Sequence, residues 1–305
     1  MKLQQLRYLR EIVRRGLNLS EAAARLHTSQ PGVSKQIQQL EDELGVELFV
    51  RQGKRFTALT EPAQAVLVLA ERILLDTDNI RKVGQEFRQE ARGLLSIAAT
   101  HTQARYALPR TVKAFTEQFP EVALQIHQGN PTQVADMVKS GEADIGVATE
   151  AITQFPDLVT LPCYQWNRCV IAPAGHPLLQ QQPLSLIALA EYPIITYDTA
   201  FAGRPLIDQA FEAQGLSPNI VLTAIDSDII KTYVGLGLGI GILAQMAYDA
   251  ERDQPLQALD ASHLFAPSTT HIAVRRGSFL RSYVYAFIAL FAPQLQRPTV
   301  EAVLQ

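Results

Sequence analysis

The sequence predicts an α/β protein with a small helical head, one long helix and a two-lobed α/β body. Short amphipathic helices fill the first 60 residues, one heptad pattern continues to about residue 90, and strands then alternate with helices to the end. The predicted domains are therefore 1–60, 61–90 and 91–305. A chain of 305 residues is long enough for two or three domains.

The head is predicted to contain three helices and a two-stranded wing. Apolar residues recur at three- and four-residue steps over 3–14, and Ser20 is a suitable N-cap for a second helix. Ser29 or Gln30 caps a third helix, which Gly45 closes. A short strand and a basic hairpin follow. This order of elements is a winged helix-turn-helix, the geometry that places one helix in the major groove of DNA.

The polar face of the third helix and the cations of the hairpin are the candidate DNA contacts. Gln and Lys side chains can pair with base edges, and Ser, Lys and Arg side chains can hold phosphates. The predicted DNA-binding residues are Ser29, Gln30, Pro31, Ser34, Lys35 and Gln38 in the helix and Arg51, Lys54 and Arg55 in the wing. A three-helix bundle with a solvated polar face has the same pattern, so the pattern alone leaves both interpretations open.

Charge is distributed unevenly along the chain, whose formal net charge is −3. Residues 1–60 carry 10 Lys and Arg against 6 Asp and Glu, whereas the remainder carries 17 against 24. The positive charge is therefore concentrated at the proposed DNA end. An acidic body limits nonspecific adhesion to nucleic acid.

Residues 61–90 are predicted as one linker helix of roughly 45 Å, at about 1.5 Å per residue. Thr60 is a suitable N-cap. Apolar or small residues form a seam at Ala63, Val66, Ala70, Ile73, Thr77, Ile80, Gly84 and Phe87. The seam either packs against the rest of its own chain or joins two copies of the chain. We favour the second interpretation, because a dimer presents two recognition helices to paired half-sites.

The body is predicted as two α/β lobes. Strand and helix patterns alternate from residue 93 and repeat in a second unit, and a last strand and helix return to the first. Lobe I is expected at 91–162 and 268–305, and lobe II at 163–267. Two crossings between such lobes give a hinged cleft of the kind found in periplasmic solute-binding proteins.

Neutral polar residues follow three predicted strands of lobe I and are the candidate ligand site. They are Thr100, His101, Thr102 and Gln103 after the first strand, Asn130 after the second and Thr149 after the third. Ligands of open α/β sheets bind beyond the carboxyl ends of strands, and several N–H and O–H groups can share one anion. Any single one of these residues could simply cap a helix, but the set favours a small anion or carboxylate.

The sequence lacks the motifs that are typical of other classes of function. No G-x-S-x-G or paired-carboxylate motif occurs, and the six histidines show no metal spacing, so we expect no enzyme, no catalytic residues, no metal and no cofactor. The glycines at 235, 237, 239 and 241 lack the strand-then-helix order of a dinucleotide fingerprint. Cys163 and Cys169 are expected to be ordinary buried thiols.

The N-terminal segment MKLQQLRYLR has no apolar signal core, and no run approaches a membrane span of about 20 apolar residues. We therefore expect a cytoplasmic protein. A solute-binding protein, the alternative from another class, would share the two lobes but would need an export signal and has no use for the head.

The head resembles that of the LysR-type bacterial transcription regulators. The specific part is the run SQPGVSKQIQQLEDELGVELFVR, which a Leu-Thr pair follows. One departure is visible: the family often continues with E-x-G, and here Ala63 stands at the usual glycine. The resemblance implies a linker helix, an effector domain of the solute-binding type, a homodimer or homotetramer and double-stranded promoter DNA as partner. RNA polymerase is a candidate further partner.

The body resembles the CysB-like subfamily, the regulators of cysteine biosynthesis and sulfonate utilisation, most specifically in THTQARYALP. The resemblance implies regulation of sulfur assimilation genes in response to sulfate, an acetylserine-like molecule or a sulfur intermediate. It assigns ligand contacts to Thr100, Thr102, Gln103 and Thr149, with Asn130 and Trp166 as weaker candidates. Where the subfamily reads F-T-G-R, this chain has Ala202 in place of the threonine, so one hydroxyl donor is absent and the effector preference is expected to differ. A LysR-type regulator of another anionic-metabolite pathway is the alternative.

Overall fold

The protein is described from a computed structural model, which covers residues 1–53, 55–88, 92–181, 183–201 and 203–304. The chain divides into two compact units, Met1–Arg88 and Gln89–Gln305. Lys54 and Ala202, two of the predicted contacts, lie outside the described residues. None of the helices within these ranges is both long enough and apolar enough to cross a membrane.

The N-terminal unit is a winged helix-turn-helix followed by a long helix, as predicted. Its elements in chain order are α1 Leu3–Arg14, α2 Leu19–Arg25, α3 Gln30–Leu44, β1 Phe49–Gln52, β2 Arg55–Leu59 and α4 Glu61–Phe87. The strands β1 and β2 pair antiparallel and form the wing. The rings of Phe49 and Phe56 stack across it with centroids 4.2 Å apart.

Local capping explains where the helices begin. Ser29 caps α3 by accepting the Gly32 N–H at 3.3 Å, and Thr60 caps α4 by accepting the Ala63 N–H at 3.2 Å, both as predicted. The prediction for α2 was wrong, because the side chain of Asn18, and not of Ser20, accepts the first free N–H groups of that helix. The sequence offered two adjacent capping residues, and the turn before α2 selects the earlier one.

The predicted seam of α4 has two parts. One packs on its own chain, and the other is exposed and could join two copies of the chain. Ala63 and Ala70 are buried within the N-terminal unit, so the first half of the helix packs on its own chain. Leu74, and not the predicted Ile73, continues that contact. Farther along, Ile80 is 72% exposed and Phe87 is 83% exposed. The second half of α4 therefore carries apolar seam residues that are exposed.

The C-terminal unit contains two five-stranded mixed sheets, which confirms the two lobes. Lobe I has the strand order β4-β3-β5-β12-β6, and lobe II has the order β11-β7-β10-β8-β9. The strands of lobe I are β3 Gly93–Ala99, β4 Val122–Gln128, β5 Ile145–Ala148, β6 Leu158–Trp166 and β12 Ser268–Arg275. The strands of lobe II are β7 Arg168–Pro173, β8 Ile194–Tyr197, β9 Ile220–Ala224, β10 Ile240–Ala244 and β11 Leu256–Asp260.

Helices cover these sheets. In lobe I they are α5 Leu108–Gln118, α6 Pro131–Ser140, α10 Ser282–Phe291 and α11 Arg297–Leu304. In lobe II they are α7 Leu186–Ala190, α8 Arg204–Ala213 and α9 Ser227–Gly235. Lobe I buries one apolar cluster beneath α5 and α10, in which Phe115 and Phe287 meet edge to face.

The chain crosses between the lobes twice. It leaves lobe I at Asn167, between β6 and β7, and returns between β11 and β12. The predicted boundary before Cys163 falls inside β6, because the segment Cys163–Trp166 continues that strand and pairs with β12 of lobe I. Only Asn167 separates β6 from β7, so the sequence has no loop that would mark the crossing.

The glycines after α9 have packing reasons, as predicted. Gly237 has φ +79, which completes the turn, and a Cβ on Gly239 would lie 2.2 Å from the Pro193 carbonyl oxygen. A Cβ on Gly241 would lie 2.7 Å from a side-chain carbon of Ile171 on the neighbouring strand. These positions therefore serve a turn and a closely packed strand.

Candidate functional site

The helix α3 presents most of its predicted contacts to solvent. Ser29, Gln30, Pro31, Lys35 and Gln38 are exposed, and Ser34 is half-buried. The opposite face buries Val33, Ile37 and Leu40 in the core of the unit. The exposed amides and ammonium group can meet base edges and phosphates, which is what a recognition helix requires.

The wing supplies cations of two kinds. Arg55 is exposed, whereas Arg51 forms an ion pair with Glu41 and lies over the Phe56 ring at 5.0 Å from its centroid. Glu41 also accepts the N–H groups of Leu48, at 2.8 Å, and Phe49, at 3.3 Å. Arg51 therefore holds the wing on α3, and it is available to a phosphate only through its exposed edge.

The three predicted strand ends of lobe I are neighbours in space. Ala99 pairs with Gln128 of β4 on one side and with Val147 of β5 on the other. The Thr100 N–H donates to the Val147 carbonyl at 3.1 Å, and the Gly129 N–H donates to the Ala99 carbonyl at 3.2 Å. The residues that follow β3, β4 and β5 therefore meet at one edge of the sheet.

Thr100 and Gln103 bring buried polar atoms to this edge that have no partner among the described residues. The Thr100 hydroxyl and the Gln103 amide nitrogen are both unpaired, although Gln103 is fully buried. The Gln103 amide oxygen accepts the Tyr164 hydroxyl at 2.6 Å, which leaves the NH₂ group as a free donor. The residues Gln103–Ala107 form a π-helical turn, a geometry that is frequent at functional sites.

Thr102 reaches lobe II. Its side chain acts electrostatically on Tyr197, at the end of β8, and the Tyr197 hydroxyl lies 2.7 Å from the Ser227 hydroxyl. The Ala244 N–H donates to the same phenol oxygen at 3.0 Å. Burial raises the pKa of Tyr197, so the phenol stays neutral and can serve as a hydrogen-bonding link between the lobes.

The remaining predicted ligand contacts have different environments. Asn130 caps α6 by accepting the Gln133 N–H at 2.8 Å, so its amide oxygen has a structural task. Thr149 is buried directly after β5. Trp166 is buried in a cluster with lobe II side chains, and its indole N–H has no partner among the described residues.

His101 lies in a cluster of acidic and basic side chains that come from both lobes. It approaches Asp226 and Asp228, with one potential ligand atom from each within 4.8 Å of the others. Asp228 accepts the Tyr106 hydroxyl at 2.8 Å and pairs with Arg105 at 2.6 Å, and Lys231 adds a second cation. Although burial opposes ionisation of Asp228, hydrogen bonds from Tyr106 and Lys231 lower its pKa. These cations disfavour a metal, and the absence of a metal site stays a prediction.

Both cysteines are free thiols. Cys169 is buried and Cys163 is half-buried, and burial raises the pKa of each to about 12. Neither is therefore a thiolate at neutral pH.

Sequence analysis missed three polar residues at the junction of the lobes: Tyr164, Tyr197 and Arg168. Tyr164 hydrogen-bonds the predicted ligand residue Gln103, and Tyr197 interacts electrostatically with Thr102, but in the sequence each tyrosine lies in an ordinary strand pattern. Arg168 is fully buried, although it is a charged residue at the start of an apolar strand. That juxtaposition was a signal, because arginine is almost never fully buried without a specific reason.

Comparisons with known proteins agree with this geometry. A family model described as the bacterial regulatory helix-turn-helix protein, lysR family, matches residues 3–64, and one described as the LysR substrate binding domain matches residues 88–296. The chain is 55% identical over 305 residues to the HTH-type transcriptional regulator SsuR of Burkholderia cenocepacia, covering 100% of this chain and 99% of that protein. It is 52% identical over 305 residues to the regulator CysB of the same organism, covering 100% and 97%.

One solved structure is similar over the C-terminal unit. The crystal structure of the cofactor-binding domain of the Cbl transcriptional regulator matches with a TM-score of 0.69 and 44% identity, covering 71% of this chain and 95% of that chain. These matches confirm a DNA-binding transcription regulator of the group that includes SsuR, CysB and Cbl. They exclude the two alternatives, an enzyme and a solute-binding protein. The chain belongs to the LysR family of bacterial transcription regulators.

Proposed function

We propose that this regulator controls sulfur assimilation genes, for cysteine biosynthesis or for sulfonate use under sulfate starvation, and that it responds to a small anionic effector held between the lobes. The identity of 55% with SsuR and 52% with CysB over the whole chain supports the pathway. Sulfate, an acetylserine-like molecule and a sulfur intermediate are the effectors that this group implies. An anionic metabolite of another pathway is the alternative.

One observation carries the effector proposal: buried donors at the strand ends have no acceptor among the described residues. They are the Gln103 amide, the Trp166 indole N–H and the Thr100 hydroxyl, which can also donate. A buried donor without a partner costs about 1–3 kcal/mol. An anion has only acceptor oxygens, so its binding would satisfy these groups together. A cation would leave them unsatisfied.

On DNA, the proposed contacts are those of the exposed face of α3 in the major groove, with Arg55, Lys54 and the edge of Arg51 on the backbone. The exposed seam around Ile80 and Phe87 joins two copies into a homodimer, and dimers combine into a tetramer. Effector binding favours one arrangement of the lobes and so changes the spacing of the recognition helices. RNA polymerase is the candidate further partner in transcription regulation.

Two measurements test this function. Genome-wide binding profiles from cells grown with sulfate or with a sulfonate as sulfur source should place the protein upstream of sulfur assimilation genes. Calorimetry with the full-length chain should detect binding of sulfate or acetylserine. Profiles concentrated at promoters unrelated to sulfur, or no heat with either compound, would contradict the pathway or the effector respectively.

A further inference from the structure

Arg168 is a fully buried cation at the first crossing between the lobes. Its guanidinium donates to the Ala266 carbonyl at 2.8 Å, to the Gly203 carbonyl at 3.1 Å and to the Ser268 hydroxyl at 2.8 Å. All three acceptors are neutral. The remaining Nε–H is buried and has no partner among the described residues.

The charge of Arg168 has no direct counterion. Within the described part of the chain, no carboxylate forms a salt bridge with it. Glu150 acts on the charge from farther away, while its carboxylate accepts the Thr269 N–H. Burial is the main influence on the guanidinium, and it lowers the pKa of Arg168. A buried charge is costly unless it is paired, so the fold maintains an electrostatic imbalance at this point.

Arg204 shows how the same lobe treats an ordinary buried arginine. It is also buried, but its Nε is 2.7 Å from a carboxylate oxygen of Asp208, and its Nη1 donates to the Tyr197 carbonyl at 2.8 Å. The two arginines thus differ in one respect that matters, the presence of an anion. Arg204 has an anion in direct contact, whereas the carboxylate that acts on Arg168, that of Glu150, forms no salt bridge with it.

Arg168 adjoins the proposed effector site. Its guanidinium carbon lies 5.3 Å from the ring centroid of Trp166, and it holds the carbonyl of Gly203, directly after position 202. Gly203 has φ +75, and a Cβ there would lie 2.0 Å from the Arg168 Nη2. The backbone next to position 202 is therefore fitted closely around this guanidinium.

We propose that Arg168 is the fixed positive charge that makes the site between the lobes select anions, and that it selects doubly charged anions over singly charged ones. This inference rests on the proposed function, because it requires an anionic effector. The strand-end donors form hydrogen bonds with the oxygen atoms of the ligand whatever its net charge, whereas Arg168 attracts the ligand in proportion to its net negative charge. The bound anion supplies the counterion that the fold leaves out.

The test uses the full-length chain and two tetrahedral sulfur anions, sulfate with charge −2 and methanesulfonate with charge −1. Both are titrated by calorimetry at constant ionic strength into the wild type, Arg168→Gln and the control Arg204→Gln/Asp208→Asn, which removes a complete ion pair without changing net charge. Coulomb energy scales with the product of the charges. Arg168→Gln should therefore weaken sulfate binding by about ten- to hundred-fold, and the logarithm of that loss should be about twice the loss for methanesulfonate.

The other results have distinct meanings. Equal losses for the two anions would show that Arg168 supports the structure of the crossing without acting through its charge. Unchanged sulfate binding would show that its charge does not affect the anion. Either result overturns the inference and leaves the proposed function standing. If the control variant loses sulfate affinity with the same ratio between the anions, the effect is not specific to Arg168 and the inference fails. A wild type that binds neither anion contradicts the sulfate-type effector itself.

A second neutral variant keeps the test decisive if Arg168→Gln does not fold. Arg168→Met replaces the buried guanidinium by an apolar side chain, and it is titrated with both anions beside the wild type. On a logarithmic scale, sulfate binding should weaken about twice as much as methanesulfonate binding. Equal losses for the two anions would overturn the inference.

Discussion

The N-terminal unit and the junction of the two lobes differ in how they treat the polar groups that connect their elements. In the N-terminal unit, the carboxylate of Glu41 accepts two backbone N–H groups and pairs with Arg51, and Ser29 and Thr60 cap their helices. At the junction, the Gln103 amide, the Trp166 indole and one N–H of Arg168 are buried without partners.

The difference reflects where each region binds. The N-terminal unit presents its proposed ligand-binding groups on an exposed face, so the buried groups that join its elements can be paired within the fold; Arg10 Nε and Gln36 Oε1 are buried there without a partner among the described residues. The lobes enclose their ligand, so the groups that bind it must lie inside and are satisfied only when the ligand is present. A change at a paired buried group should therefore reduce stability, whereas a change at an unpaired one should reduce ligand binding.

The largest effect is expected for Glu41→Ala. The change leaves the N–H groups of Leu48 and Phe49 without their acceptor and frees Arg51 from α3. We expect a loss of about 3 kcal/mol in the free energy of unfolding, measured by urea denaturation with circular dichroism. Asp42→Ala, at the exposed neighbouring position, serves as the control and should change little. If Glu41→Ala unfolds at the same urea concentration as the wild type, the proposed difference between paired and unpaired buried groups is wrong.

Thr100→Val and Thr60→Val form a matched pair across the two regions. The Thr100 hydroxyl has no partner among the described residues, so its removal should leave stability unchanged but weaken sulfate binding by about ten- to hundred-fold, the loss of one hydrogen bond to an anion. Thr60 caps α4, so its removal should lower stability by about 1 kcal/mol without affecting sulfate binding. Thermal unfolding and calorimetry on both variants check the pair, and the reverse assignment of effects would refute our distinction.

Lys35→Ala should affect DNA binding alone. Lys35 is exposed on α3, so its loss should leave unfolding unchanged and weaken operator binding by roughly fivefold at physiological salt. The slope of log affinity against log salt should fall by about one if Lys35 contacts a phosphate. Gel-shift titrations at several salt concentrations measure both, with Lys113→Ala, exposed on α5, as the control. Equal salt slopes for wild type and Lys35→Ala would remove this phosphate contact.

The smallest effect concerns His271 on β12. Burial lowers the pKa of His271, so the unfolded chain binds a proton there more readily than the folded chain. The contribution of neutral His271 to the free energy of unfolding is therefore intact above pH 6.5, the ordinary pKa of histidine. It is lost as the pH falls below that value. Urea unfolding between pH 7.5 and pH 5 should show a shallower acid loss for His271→Gln than for the wild type. A wild-type slope for His271→Gln would contradict this assignment.

Sequence reasoning succeeded where a feature depends on neighbours along the chain. The helix-turn-helix, the caps Ser29 and Thr60, and the turns around Gly237 follow from short-range rules of capping and chain geometry. It also placed Thr100–Gln103 directly after a strand, which the structure shows as the edge between β3 and its neighbours. It chose the wrong cap for α2, because two suitable residues stood close together.

The remaining features required the folded chain. The crossing at Asn167 has no loop to mark it in the sequence, because this one residue separates β6 from β7. The division of the α4 seam depends on how much of the helix the N-terminal core covers.

The sequence by itself determined the kinds and order of elements, the charged head and the polar strand ends, because these properties depend on side-chain chemistry and on residues a few positions apart. Only the tertiary structure decided which polar groups stay unpaired. Arg168 and Ser268 are a hundred residues apart along the chain, and whether a buried donor finds an acceptor depends on such distant segments meeting in space.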